Sequence, residues 1–385
     1  MQSRRLDKCH SIADLRRLAG RRLPRVVFDY LDGGAETEAT ARRNVTAFDD
    51  ARLIPRALVD VSHVSTGTTL LGQKLDWPVM CSPTGASRLY HPAGELAVAR
   101  AAQRSGVFYS LSTMATTALE EVAAASSGPK LFQLSVFKDR GIARELVERC
   151  RQAGFHALCI TVDAAVRGKR ERELRAGMGV PMNLSLASMA GMLMRPAWLA
   201  GNLRGGGLSM PNFSRQAGSA KLSAQTRFIA SELDASVTWQ DVRELIDLWN
   251  GPFAIKGIMS ADDARRAADV GATAVMVSNH GGRQLDGAAG AFEALPAIAD
   301  AVGDQLEIIL DGGIRRGVHV IKALASGAKA CSVGRAYLFG LSAAGEAGVG
   351  YALSILRSEF VRSMQLCGFA DLESIDGAAL VSRRK

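Results

Sequence analysis

The sequence predicts an α/β fold: a closed (β/α)8 barrel with a helical segment ahead of it and a long insertion after its fourth strand. Three observations predict it. Short apolar runs recur eight times along the 385 residues, helix-like stretches separate most of them, and nothing between them signals antiparallel pairing. Such alternation implies a parallel sheet covered by helices, and eight units in this length fit a closed TIM barrel better than an open sheet. No GxGxxG follows any of the runs, which argues against an open dinucleotide-binding sheet.

Taken in order, Ser11 is placed to cap a helix over 12–18, and Pro24 opens a second one through Tyr30. After Gly33-Gly34 a polar helical stretch runs to Phe48. The strands are expected at 78–82, 107–111, 131–135, 157–162, 253–256, 274–278, 307–310 and 330–333. Helices are expected at 95–105, 117–125, 142–153, 260–270 and 318–326. One interval breaks the rhythm. Residues 171–237 hold far more chain than a crossover helix needs, and long insertions are usually lids or binding segments, or else disordered. The whole of 1–385 is read as one barrel domain that contains this insertion.

An apolar fraction of 48% with 22% charged residues describes a soluble globular chain. No apolar run reaches the ~18–20 residues of a spanning helix. Met1 to His10 is polar and basic, so no secretory signal is expected. The six cysteines (Cys9, Cys81, Cys150, Cys159, Cys331 and Cys367) are scattered without CxxC pairs, and several lie in apolar runs. Buried thiols in a reducing cytoplasm fit this pattern; no disulfide and no metal site is expected. The net charge of +9 raises nucleic acid as a partner, but aromatics are 6% and the arginines are dispersed, which argues against it. Anionic lipid or an acidic substrate accounts for the charge equally well.

Chemistry gathers at the carboxyl ends of barrel strands. There stand Thr84-Gly85, Ser112-Thr113, Gln133, Thr161 with Asp163, Lys256, His280 with Arg283, Asp311-Gly312-Gly313 and Gly334-Arg335. A purely structural barrel would not need a polar group at nearly every strand end, so an enzyme is the favoured reading. The stretch Ser278-Asn279-His280-Gly281-Gly282-Arg283-Gln284-Leu285-Asp286 pairs a proton acceptor with a cation able to grip a carboxylate in a bidentate fork. On its own it would be more often just a polar loop. Asp311-Gly312-Gly313-Ile314-Arg315 and Ser332-Val333-Gly334-Arg335 have the composition of a phosphate site, with glycine N–H groups and an arginine each. Lys256 at a buried strand end needs a partner: it can form a Schiff base, pair with phosphate or stabilise negative charge on a cofactor. Asp163 can orient the imidazole of His280 or simply cap a turn. Arg170, within Arg167-Gly168-Lys169-Arg170, reads by itself as part of a solvated basic loop.

These motifs, in this order, resemble the FMN-dependent 2-hydroxy acid oxidising family, which includes glycolate oxidase, L-lactate dehydrogenase and oxidase, and mandelate dehydrogenase. The similarity spans residues 23–368 and rests on the His280 stretch, on Asp311 through Gly317, on Pro24 through Tyr30 and on Gly33-Gly34-Ala35. The resemblance implies FMN as cofactor and His280 as the base that removes a proton as the substrate α-carbon is oxidised. It implies that Asp163 steadies the imidazolium, that Arg170, Arg283 and Tyr30 hold the substrate carboxylate, and that Lys256 stabilises the reduced ring. Thr84, Gly85, Ser112, Gln133, Thr161 and Ser278 would line the isoalloxazine and ribityl chain. Asp311, Gly313, Arg315, Gly334 and Arg335 would take the ribityl and phosphate groups. A homotetramer is also implied.

Two positions depart from the glycolate and lactate pattern. Ser135 stands where those members have a second active-site tyrosine, and Met114 where glycolate oxidase has tryptophan. Both leave room for a substrate larger than glycolate, such as a lactate- or mandelate-like acid. Gly85, where several oxidases have alanine, resembles the dehydrogenase-type members. From Leu174 to Ser231 there is no acidic residue, while Met178, Met182, Met189, Met192, Leu193, Met194, Trp198, Leu199 and Leu203 alternate with Arg195, Arg204 and Arg215. Such a segment suits a membrane interface, or a lid over the pocket. The expectation is a cytoplasmic enzyme, peripheral on the inner face of the plasma membrane, that passes electrons to quinone. The alternative is a soluble oxidase that gives hydrogen peroxide.

Overall fold

A computed structural model describes residues 6–135, 137–179, 184–204, 207–213, 216–219 and 221–381; Met182 and Arg215 of the insertion lie outside them. The chain opens with helices α1 (Ile12–Arg22), α2 (Arg25–Asp32) and α3 (Ala39–Asp50). The Ser11 side chain accepts from the Asp14 amide and caps α1, which runs past its expected end at residue 18. Arg21 and Arg22 in the last turn suit the negative end of its dipole.

An antiparallel hairpin, β1 (Thr68–Leu70) and β2 (Gln73–Leu75), corrects the expectation of wholly parallel pairing. Strands of three residues are too short to show a period. Leu70, Leu71 and Leu75 pack with Met80, Phe108, Leu131, Met276 and Ile309, and the Leu71 amide donates to Glu307. The hairpin thus plugs the amino-terminal mouth of the barrel.

The barrel strands are β3 (Val79–Thr84), β4 (Phe108–Ser112), β5 (Lys130–Leu134), β6 (Ala157–Thr161), β7 (Phe253–Ile258), β8 (Ala274–Val277), β9 (Glu307–Asp311) and β10 (Ala330–Val333). They close in the order β10-β3-β4-β5-β6-β7-β8-β9, all parallel. Ala157, Ala254, Ala274 and Ala330 stand among the larger interior side chains, so small and large residues together fill the lumen. Register then aligns polar residues at the carboxyl ends: Ser112 beside Gln133, Thr161 beside Lys256, Ser332 beside Asp311.

The insertion forms helices at Glu171–Arg175, Leu186–Leu193, Pro196–Arg204 and Leu222–Glu232. Arg195 donates to the Leu23 carbonyl and the Trp198 indole to that of Leu89, which ties the insertion to the body. A long helical stretch, Arg335–Cys367, ends the fold and breaks at Ala344 and Gly345. It is long and apolar enough to cross a membrane, yet 67% of its most apolar window is buried inside the protein, as in a core helix.

Candidate active site

The loop after β8 is built on unusual backbone. His280, Gly281 and Gly282 all have positive φ (58°, 64° and 72°), a run that a non-glycine residue seldom joins without support. The support comes from the amino-terminal segment. Asn279 and Asn44 exchange side-chain hydrogen bonds of 2.7 and 2.9 Å. The Ala35 amide donates to the Gly282 carbonyl, and a Cβ on Gly282 would run into the Ala41 backbone. Asp286 accepts from Thr37 and from the Thr40 amide at the start of α3, and these bonds outweigh burial and hold its carboxyl at about 2.

His280 therefore has a fixed direction. Its Nδ1 lies 2.9 Å from Asp163 Oδ1. A carboxylate accepts only, so Nδ1 carries the hydrogen and Nε2 is the basic nitrogen. The ring is 33% exposed and lines a cavity, but protein surrounds it. That burial pushes its pKa below the usual value, with Lys256 and Arg170 adding to the shift and Asp163 opposing it. For Asp163, burial works upward, but His280 and Lys256 outweigh it and hold the carboxyl low.

Below them Lys256 Nζ sits 2.9 Å from Ser278 Oγ and 3.1 Å from Asp311 Oδ2. Ser278 and Ser82 donate to the two oxygens of Asp311, each at 2.7 Å. Burial favours the neutral lysine, yet Asp311 and Asp163 raise its pKa, so it stays charged.

Arg283 and Arg170 stand side by side. Arg283 donates to Glu173 at 2.8 Å and to the Tyr30 and Gly33 carbonyls. Glu173, 1% exposed, also pairs with Arg167 at 3.1 Å and lies 3.7 Å from Arg170. One carboxylate behind three guanidiniums leaves net positive charge facing the cavity. Burial, and then Arg283, bring Arg170 down to about 10. Tyr30 lies under Arg283 (5.2 Å from guanidinium carbon to ring centre) and stacks on Tyr90.

At the other end are Arg315 and Arg335. Burial lowers them to about 10 and about 9, and among the described residues neither has a carboxylate partner. Their donors reach backbone carbonyls: Ile314 for Arg315, and Leu31, Gly33 and Gly281 for Arg335. Gly313 (φ 79°) admits no Cβ, because one would overlap the Asn44 carbonyl. Buried guanidiniums beside bare backbone fit a phosphate. Ser332, buried beside Asp311, lines the cavity at the same end.

One cavity of about 280 Å³ joins all of this. Of the residues singled out in the sequence, it brings together Thr84, Gly85, Met114, Ser112, Gln133, Ser135, Thr161, Arg170, Lys256, His280, Arg283, Asp311, Gly313, Arg315, Gly334, Arg335 and Tyr30 as its lining. Two residues stand one layer back. Ser278 is spent on Lys256, Asp311 and the His280 amide, and Asp163 lies behind His280. Glu173 and Tyr90 escape sequence reasoning; the first lies in an arginine-rich run that hides it, and no motif surrounds the second.

The FMN-dependent dehydrogenase family model matches residues 19–382, and the chain belongs to that family. It is 42% identical to an L-lactate dehydrogenase of Caulobacter vibrioides over 97% of this chain and 98% of that one. It is 42% identical to an L-lactate oxidase of a Nostoc species over 96% of this chain and 97% of that one. Among solved structures, a monotopic membrane protein, (S)-mandelate dehydrogenase, superposes with a TM-score of 0.93 at 38% identity, over 97% of this chain and 99% of that one.

Proposed function

We propose that this protein oxidises an (S)-2-hydroxy acid to the 2-oxo acid and passes the electrons to a membrane quinone. The observation that carries the reading is the His280–Asp163 pair opening beside the Arg170–Arg283 clamp in one cavity whose far end holds Arg315 and Arg335. Bound FMN supplies the two-electron acceptor. Arg315, Arg335 and the Gly312-Gly313 and Gly334 backbone would hold its phosphate end, and Ser112, Gln133, Thr161 and Lys256 its ring.

The residues divide the work as follows. Arg283 and Arg170 fix the substrate carboxylate, with Tyr30 beside them. Glu173 keeps the two guanidiniums in place without cancelling their charge. His280 Nε2, neutral and fixed by Asp163, takes the proton, and Asp163 stabilises the imidazolium that results. Lys256 sets one positive charge on the floor. An anaerobic screen of 2-hydroxy acids that follows bleaching of the bound flavin tests the reading; a flavin that no such acid bleaches would sink it.

A side chain larger than that of glycolate is supported by a second cavity of about 310 Å³, which shares Ser135, Thr161, Ala164 and Leu233 with the first. Val162, Val237, Trp239, Val242 and Ile258 line it on one part, and Asp234, Thr238 and Asp263 on another. Attachment to the inner face of the plasma membrane is supported by the insertion, where Leu186, Leu193, Met194 and Leu203 are 68–82% exposed. The likeness to a monotopic membrane protein supports it too. The likeness to a lactate oxidase supports a second reading, with oxygen as acceptor and hydrogen peroxide as product. Rapid reoxidation by air without binding to anionic vesicles would favour that one. A homotetramer is the assembly we infer from the family.

A further inference from the structure

The Tyr90 side chain is a buried donor that the protein leaves unused. It is 5% exposed and lines the cavity, and no hydrogen bond reaches its hydroxyl from any described residue. Buried tyrosine hydroxyls normally find a partner, so an open one beside a ligand cavity points at the ligand.

Its position is fixed rather than accidental. Tyr90 ends the short helix Ser87–Tyr90. That helix is held from below by the Ser87 amide on Glu95 (3.0 Å) and the Arg88 amide on Thr116 (3.0 Å). From above, the Trp198 indole grips the Leu89 carbonyl at 2.8 Å. The ring stacks on Tyr30, with centroids 6.4 Å apart and planes at 23°. Tyr30 in turn carries Arg283 over its face. Burial, first of all, raises the Tyr90 pKa well above the usual phenol value, with the charges of Arg283, Glu173 and Arg170 also acting on it. The hydroxyl is therefore a donor at every pH at which the enzyme would work. Tyr30 and Tyr90 are the two phenols that line this cavity, since Ser135 offers only a short hydroxyl across from them.

We propose that Tyr90 is a substrate-binding residue whose hydroxyl donates to the carboxylate of the 2-hydroxy acid gripped by Arg170 and Arg283. This rests on the reading above, and it adds a second phenol to the clamp. A bond to a charged acceptor removed alone weakens binding roughly tenfold to a hundredfold.

Tyr90→Phe tests it, because the ring and its stacking remain while the hydroxyl goes. In the holoenzyme, anaerobic rapid-mixing measurements should show the apparent Kd of the best 2-hydroxy acid rising roughly tenfold or more, while flavin content and Tm stay put. Titration with phenylacetate, a carboxylate with no hydroxyl to oxidise, should show the same weakening through the perturbed flavin absorbance. An unchanged Kd for both ligands in Tyr90→Phe overturns the proposal, even if Tyr90→Leu is impaired, since only packing would then matter. Weaker binding of the hydroxy acid with unchanged phenylacetate binding overturns it as well, because the bond would then go to the substrate hydroxyl. Failure of the wild-type flavin to bleach with any 2-hydroxy acid would count against the proposed function instead, and the phenylacetate titration would still decide the role of Tyr90.

Discussion

Asp163 holds Nδ1 of His280 at 2.9 Å with one oxygen and keeps its second oxygen buried without a partner among the described residues. A half-satisfied carboxylate is costly to maintain beside a neutral ring. The cost falls when the ring becomes an imidazolium, so the pair favours the protonated product of the chemical step over the resting state. Asp163→Asn keeps the shape and removes the charge. Flavin reduction by substrate should slow by about 10²–10⁴-fold, with FMN still bound, in anaerobic rapid mixing.

The pH profile follows from the same pair. Burial lowers the His280 pKa below 6.5, and the base works only when neutral. Activity should therefore hold as pH falls through 6.5 and decline only below it, as the ring protonates. Asp163 raises the His280 pKa, so its loss should move this acid limb to still lower pH. A kcat/KM profile of wild type and Asp163→Asn checks both signs, and a limb centred above 6.5 in the wild type contradicts the assignment.

Arg315 and Arg335 should behave in opposite ways with and without cofactor. Arg335→Leu removes one charge-assisted anchor, which costs about 1.5–3 kcal/mol of FMN affinity, or roughly tenfold to a hundredfold in Kd. The cofactor-free variant should be no less stable than the cofactor-free wild type, because a buried cation with carbonyl partners but no carboxylate has gone. Flavin fluorescence titration and thermal melts of both forms measure the two effects.

The exposed apolar face of the insertion gives a prediction about surfaces. Leu193→Glu with Met194→Glu should abolish sedimentation with anionic lipid vesicles. Reduction of an artificial dye acceptor by the same variant should stay near the wild-type rate, since both side chains are exposed and neither lines the cavity.

Most of the barrel is legible in the sequence because its strands are buried on both faces. They read as apolar runs, and their first polar residue marks the catalytic end. The run at 330–333 matches β10 residue for residue, and the others agree within two residues. Lys130 joins β5, although charged, because its ammonium reaches the Ser126 and Gly128 carbonyls while the stem stays buried. The hairpin at Thr68–Leu70 and Gln73–Leu75 is illegible, for its short strands alternate too briefly. Tyr90 and Glu173 are illegible for another reason: their roles arise only when segments distant along the chain fold side by side. The His280 stretch announces its chemistry locally but not its scaffold, which lies in α3.

That scaffold has a consequence in time. Asp286 and Thr37 are 249 residues apart, and Asn279 and Asn44 are 235 apart. The helix that props up the catalytic loop leaves the ribosome first and then waits for its partner. At roughly 5–20 residues per second, the wait is on the order of 12–50 seconds. During it α3 has no Asp286 to cap it, and its buried face has no loop to cover. The nascent amino terminus thus carries this uncovered face until the loop is made, and the site cannot assemble before Arg335 has followed.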